Sequence, residues 1–346
     1  MRSRAGVGLA LLANLFSGIL FRMLSASPAI LGSLLTIPVL AFLLGILAAA
    51  LRTDLRLPGA AYQAISVYLL LAIGVKGGVS LSESSPQEVI APLGAAFTLG
   101  ILIPVAAFWI LRGITRLGPV DRGALAAHYG STSLVTFTAC IVFLDSAGIA
   151  YEGFMATILT VLEVPGIIAG VFLASRTGGQ RASWRPALAE VLTSKSILLL
   201  AGGLAIGLLA GPAGYVSVQP FFGALFTGVL TLFLLHLGAM TGKHLRDVRS
   251  AGPGLIAFAI GFPVITGATG VAAGTLTGLS PGGSTVMGVL CASASYIAAP
   301  AAVRIALPDA NLGLCLTSSL CITFPFNLIL GIPLYLAMAS ALATIT

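Results

Sequence analysis

The sequence predicts an all-α polytopic membrane protein, and three observations carry that prediction. Charged residues make up only 8% of the chain against 58% hydrophobic, where a soluble domain carries roughly 25% charge. The charges leave long clear runs: 23–51, 57–75, 89–111, 123–144, 196–242, 250–303 and 310–346. Mean hydropathy is +1.08. About 20 apolar residues cross a bilayer, so the runs 196–242 and 250–303 each hold two spans. A barrel would show short alternating segments instead.

In chain order the expected spans are 33–51, 58–76, 89–111, 123–144, 152–174, 196–213, 220–241, 252–276, 284–304 and 312–340, ten in all. Before them, "MRSRAGVGLALLANLFSGILFR" begins like a signal peptide, with Arg2 and Arg4 ahead of an apolar run. It lacks a convincing small-residue cleavage site and Arg22 follows directly, so residues 1–28 read as a pre-span segment with 5–21 a short interfacial or pre-span helix, the alternative being an eleventh span at 5–21. A polar linker at 176–195 divides the rest into 29–175 and 196–346, with five expected spans in each.

The two halves repeat. Gly45 lies over Gly207 and Pro58 over Pro220 at an offset of 162; Gly74 over Gly238, Gly78 over Gly242 and Asp145 over Asp309 follow at 164. "LEVPGIIAG" and "ITFPFNLILG" then share a proline followed by a glycine. Five crossings turn the second copy upside down, which predicts two inverted five-helix repeats related by an axis in the membrane plane. Secondary transporters are commonly built so, with the site at the midplane between the copies.

The formal net charge is +7. Its basic residues sit in loops between spans, which membrane orientation explains without a nucleic-acid partner. Arg2, Arg4, Arg22 and Lys76 fall on the side of the termini, against thirteen Lys and Arg on the side of the linker. The positive-inside rule therefore puts the linker in the cytoplasm and both termini outside.

The polar residues inside the apolar runs point to a site. "AAHYGSTSLVTFTACIVFLD" (126–145) carries His128, Tyr129, Gly130, Ser131, Thr132, Ser133, Thr136 and Thr138 in a stretch without charge. Membrane hydroxyls often bond their own helix or a neighbour, but this density beside a glycine predicts a helix break. A break frees N–H groups and offers a positive dipole end to an anion. Carbonyls and hydroxyls nearby, those of Ser131, Ser133, Ser293 and Ser295, can supply oxygen ligands to Na⁺. The repeat places Ser293, Ser295 and Tyr296 opposite this stretch, with Pro300 expected to disturb the helix just beyond. Thr323 and Pro325 again combine a hydroxyl with an expected break. Glu163 is a carboxylate in an apolar run, either a functional acid or a structural partner for His128 or a lysine. Lys76, read as the end of its span, snorkels to the headgroups.

No HExxH, GxSxG or Walker A motif occurs, so neither hydrolysis nor ATP-driven pumping is indicated. The chain reads as no enzyme. Cys140, Cys291, Cys315 and Cys321 lack metal-ligand spacing, as do the three histidines, and no cofactor is expected.

"YLLLAIGVKGGVSL", "AAHYGSTSLVTF", "YEGFMATILTVLEVPGIIAG" and "SASYIAAPAAVRIALPDAN…SSLCITFPFNLILGIPLY", in that order, resemble the sodium-dependent bicarbonate transporter family of bacteria and cyanobacteria. The resemblance runs from about residue 30 to 340. It implies Na⁺/HCO₃⁻ symport across the cytoplasmic membrane, a core and a gate domain, and a homotrimer. Matching motifs place the substrate at Gly130, Ser131, Thr132 and Ser133 and at Ile322 and Thr323, with Ser293 and Ser295 in the same core. Cys321 stands where the family usually has glycine, and its side chain is expected to crowd the anion. A PII-like cytoplasmic regulator is a further partner the resemblance raises, against which stands the short linker. Symport of another small anion, including organic ones, and a passive anion channel are the alternative functions.

Overall fold

The computed structural model describes residues 36–177, 184–245 and 247–344; the pre-span segment and the middle of the linker lie outside them. Every regular element among the described residues is helical. They are α1 (Ile37–Ala50), α2 (Gly59–Glu83), α3 (Pro86–Ile114), α4 (Pro119–Gly130), α5 (Leu134–Ser146), α6 (Met155–Thr177), α7 (Trp184–Leu192), α8 (Lys195–Val216) and α9 (Phe226–His244). Then come α10 (Gly252–Leu276), α11 (Pro281–Ala292), α12 (Ala298–Ala306) and α13 (Leu312–Ala343).

Eight helical stretches among the described residues are long and apolar enough to cross a bilayer, counting α4 and α5 as one and adding the turn 220–224 to α9. The two remaining expected spans coincide with α1, a helix of 14 residues, and with α11 and α12, separated at 293–297.

Three local expectations change. The helix expected to end at Lys76 runs through Gly77 and Gly78 to Glu83, because both glycines are packed against neighbours that protect the helix. Thr323 and Pro325 do not break α13; the helix widens into π turns at Thr317–Thr323 and Asn327–Gly331, which give the proline ring the room an α-helix denies it. Pro300 lies in the first turn of α12, where its missing N–H is no loss, so the interruption comes before it. Elsewhere, α8 bends at Gly211, whose φ of +61° suits glycine, next to Pro212.

The helices fall into two packing groups. In one, α1 lies along α9 and α2 along α8. Gly45 meets the backbone of Leu235–Ala239, and Gly238 meets that of Phe42. In the companion pair, Gly207 meets Val75 and Val79, and Gly78 meets Leu204. A Cβ at any of these would strike main chain, so small residues let the backbones touch. The other group packs α4 against α3 and α6, and α11 against α10 and α13.

The ends of the molecule differ in chemistry. At one, Asp54 pairs with Arg56 (2.8 Å) and Lys243 (3.6 Å). There the hydrogen-bonded Arg56 guanidinium holds the Asp54 carboxyl well below the usual carboxylate range. At another junction, Glu152 accepts from the Ser280 N–H (2.6 Å) and hydroxyl (3.2 Å), tying the 147–154 loop to the start of α11.

Candidate transport site

The first interruption follows from Gly130. A Cβ there would strike Pro104 and Gly166, and a Cβ on Gly166 would strike Gly130 in turn. With α4 pressed so closely on α6, the chain leaves the helix: Ser131 (φ −101°, ψ 161°) and Ser133 (φ −105°, ψ 110°) are extended. α5 then restarts with Ser133 as its cap, the hydroxyl accepting from Thr136 N–H at 3.2 Å. In the second interruption Ser293 is likewise extended, and Ser295 Oγ accepts from Ala299 N–H at 3.2 Å, capping α12.

These interruptions are bonded to each other. Ser133 donates its N–H to Ser293 Oγ (2.9 Å), and Ser295 donates its N–H to the His128 carbonyl (2.8 Å). Two helix N-termini, of α5 and α12, and two C-termini, of α4 and α11, are thus held together. The first end in N–H groups and the second in carbonyls without partners in their own helix. Some are bonded across the junction, as the His128 and Ala292 carbonyls are, and the dipole ends still let one region serve an anion and a cation.

Within it, Ser131 Oγ, Thr132 Oγ1 and His128 Nε2 are buried without a hydrogen-bond partner among the described residues. His128 Nδ1 lies 2.7 Å from the Ala124 carbonyl; a carbonyl only accepts, so Nδ1 carries the proton and Nε2 is an acceptor. A buried hydroxyl left unmatched costs about 1–3 kcal/mol, a cost that ligand oxygens or a cation would relieve.

Thr323 joins through Tyr129. Thr323 Oγ1 donates to the Ala259 carbonyl (2.7 Å), so the Tyr129 hydroxyl donates to Thr323 (2.7 Å) and accepts from Ser318 (2.6 Å). Asn327 reaches the other interruption, donating to the Ala292 carbonyl at 2.8 Å while Tyr335 donates to its oxygen at 3.1 Å. Tyr129 belongs to the polar stretch that pointed to the site, whereas Ser318 and Asn327 were not among the expected site residues. Their signal was a polar group in a charge-free run beside residues that were. Ile322 is buried on the same π turn, and Cys321 lines a cavity with Met240, Leu316 and Leu320, three residues that also line the cavity reaching Tyr296. Glu163 is buried on α6 but makes no hydrogen bond or ion pair among the described residues, and His128 bonds Ala124 rather than Glu163.

Two cavities approach the region. One of about 610 Å³ opens beside Asp54 and Arg56 and reaches Tyr296 in the second interruption, passing Tyr62 and His236. His236 accepts the Leu57 N–H at 3.0 Å. The other, about 130 Å³, reaches Phe137 and Thr138 on α5 past Lys76, Ser80 and Tyr151.

Long apolar helices, two of them interrupted and joined at the interruption, define a multi-pass membrane protein whose build fits a transporter. The chain belongs to the Na⁺-dependent bicarbonate transporter superfamily, whose sequence profile matches residues 38–340. That superfamily groups transporters and is no enzyme class. A search of curated proteins finds no significant match.

Proposed function

We propose that this protein is a secondary transporter that couples Na⁺ entry to uptake of bicarbonate across the cytoplasmic membrane. The observation that carries the reading is the bonded pair of interruptions, which surrounds the unmatched Ser131 and Thr132 hydroxyls with helix ends of both polarities. In this reading the anion rests on N–H groups at the α5 and α12 N-termini and on Gly130–Ser133, with Cys321–Thr323 behind. The Na⁺ takes carbonyls at the α4 and α11 C-termini and the hydroxyls of Ser131, Ser133, Ser293 and Ser295. Coupling follows from charge: either ion alone leaves an uncompensated charge in a dry site, which is costly, and the pair is neutral. Na⁺ is the coupling ion.

Ten crossings in two inverted repeats, 29–175 and 196–346, belong to the same reading. Reciprocal packing supports it: exchanging Gly45 for Gly207 and Gly238 for Gly78 turns the α1–α9 contact into the α2–α8 contact, a register one helical turn from the one that sets Gly74 over Gly238. The α1, α2, α8 and α9 group is then the gate and the remainder the core, and sliding of one on the other alternates access. With both termini outside and the basic end inside, the 610 Å³ cavity faces the cytoplasm. A homotrimer and a PII-like regulator rest on the resemblance alone.

The test is uptake of labelled bicarbonate into proteoliposomes with and without a Na⁺ gradient. Saturable uptake that requires Na⁺ is expected. Anion current without Na⁺ would mean a channel, and uptake of a different small anion in its place would mean a different substrate.

A further inference from the structure

Lys76 is left unused by the site described above. It sits within α2, which continues to Glu83, about 10 Å further at 1.5 Å per residue. Snorkelling from a helix end therefore does not describe it. Its Nζ lies 5.6 Å from the centre of the Phe226 ring, and it makes no ion pair among the described residues. Lys76 is exposed yet lies inside a helix long and apolar enough to span a membrane, and a lysine within a span marks an ion path.

The cavity that Lys76 lines supplies the rest. Ser80, four residues on and so on the same helix face, lines it too, as does Thr138. No carboxylate is among the lining residues. The Thr138 hydroxyl spends its proton on the Leu134 carbonyl (2.7 Å), leaving only acceptor capacity toward the cavity. Lys76 and Ser80 can donate. Tyr151 also lines the cavity, but its hydroxyl is engaged by Asp145, so the free groups are donors on the α2 side and an acceptor on the α5 side.

We propose that Lys76, Ser80 and Thr138 form a second anion site, which takes a small oxyanion carrying one hydroxyl before it reaches the interrupted helices. Lys76 and Ser80 donate to its charged oxygens, and its own O–H donates to Thr138 Oγ1. Bicarbonate fits that pattern, whereas nitrate and chloride have no proton for Thr138. The inference rests on the proposed function for the identity of the anion, and its location at Lys76 is tested separately.

The chain has three lysines, Lys76, Lys195 and Lys243, so amine labelling of the purified protein, read peptide by peptide, isolates Lys76 without any variant. Bicarbonate should slow labelling of Lys76 several-fold while Lys195 and Lys243 are unaffected, and nitrate should protect less. Thr138→Val should erase the preference for bicarbonate over nitrate. In proteoliposomes Lys76→Gln should raise the bicarbonate KM roughly tenfold, as expected for loss of a charge-assisted hydrogen bond, with maximal rate nearly kept; Lys76→Arg should restore it. Equal protection of all three lysines, or none, overturns the second site. Absence of Na⁺-dependent uptake by the unaltered protein would instead overturn the proposed function while leaving the labelling result to stand or fall alone.

Discussion

Ser133 and Ser293, 160 positions apart, meet through one hydrogen bond of 2.9 Å from the backbone N–H of the first to the hydroxyl of the second. Ser293 Oγ also donates to the Leu290 carbonyl at 2.9 Å, so one hydroxyl ends α11 and fastens α5. Ser293→Ala strands a buried N–H, a loss of about 1–3 kcal/mol. Both a lower unfolding midpoint and a weaker apparent Na⁺ affinity are expected, with Ser293→Thr recovering most of each. A thermal-shift series against Na⁺ reads both. An unchanged midpoint in Ser293→Ala would mean that the two interruptions are held elsewhere.

The hydroxyls of 131–133 divide into two kinds. Ser133 is a cap, and its replacement by Ala should cost about 1 kcal/mol of stability. Ser131 and Thr132 bond nothing among the described residues, so Ser131→Ala and Thr132→Val should leave stability intact. If they hold substrate or Na⁺, affinity should fall roughly 5- to 150-fold, the range given by about 1–3 kcal/mol. Uptake kinetics beside unfolding curves separate the two. Loss of assembly with both affinities unchanged would make Ser131 and Thr132 packing residues.

How much of this the sequence disclosed depends on whether the cause is local. Composition and run length alone locate the apolar helices, since only hydrophobicity and length decide those. The first interruption was legible because Gly130 and three hydroxyls are adjacent in the chain. The second was found through the repeat, but Pro300 misplaced its cause: the chain turns at Ser293–Ile297, before the proline. The reach of α2 beyond Lys76 was not legible, because a lysine and two glycines imitate a helix end, and only packing by Ala156 and Leu204 shows why the helix continues. Bonds such as Ser295 to His128 join distant segments, and no spacing rule foretells them.

Tyr129 offers a test of the link between α4 and α13. Its hydroxyl passes a hydrogen bond from Ser318 to Thr323, which passes its own to Ala259. Tyr129→Phe keeps the ring against Phe258 (4.8 Å between centres) and removes only the relay. Expected is a loss of about 1–3 kcal/mol for the polar groups left unmatched, seen as a lower unfolding midpoint. Thr323→Ala in the Tyr129→Phe background should then cost less than it does alone, because the bond the two share is already gone and only the one to the Ala259 carbonyl remains to be lost. Fully additive losses would show that Thr323 is held in place without Tyr129.

Orientation is the remaining prediction, and the described surface provides both probes. Thr193 and Glu83 are exposed at the ends of α7 and α2, on sides that the alternation of spans makes opposite. All four native cysteines are buried, so a single introduced thiol should dominate labelling by an impermeant maleimide. With basic loops held inside, Glu83→Cys should label in intact cells, and Thr193→Cys only after the membrane is opened. The reverse pattern would place the linker outside. It would also turn the 610 Å³ cavity beside Asp54 and Arg56 into an outer vestibule and make the Lys76 cavity an inner one. Labelling of both in intact cells would mean that the number of crossings between residues 83 and 193 is even, and the inverted repeat would fail with it.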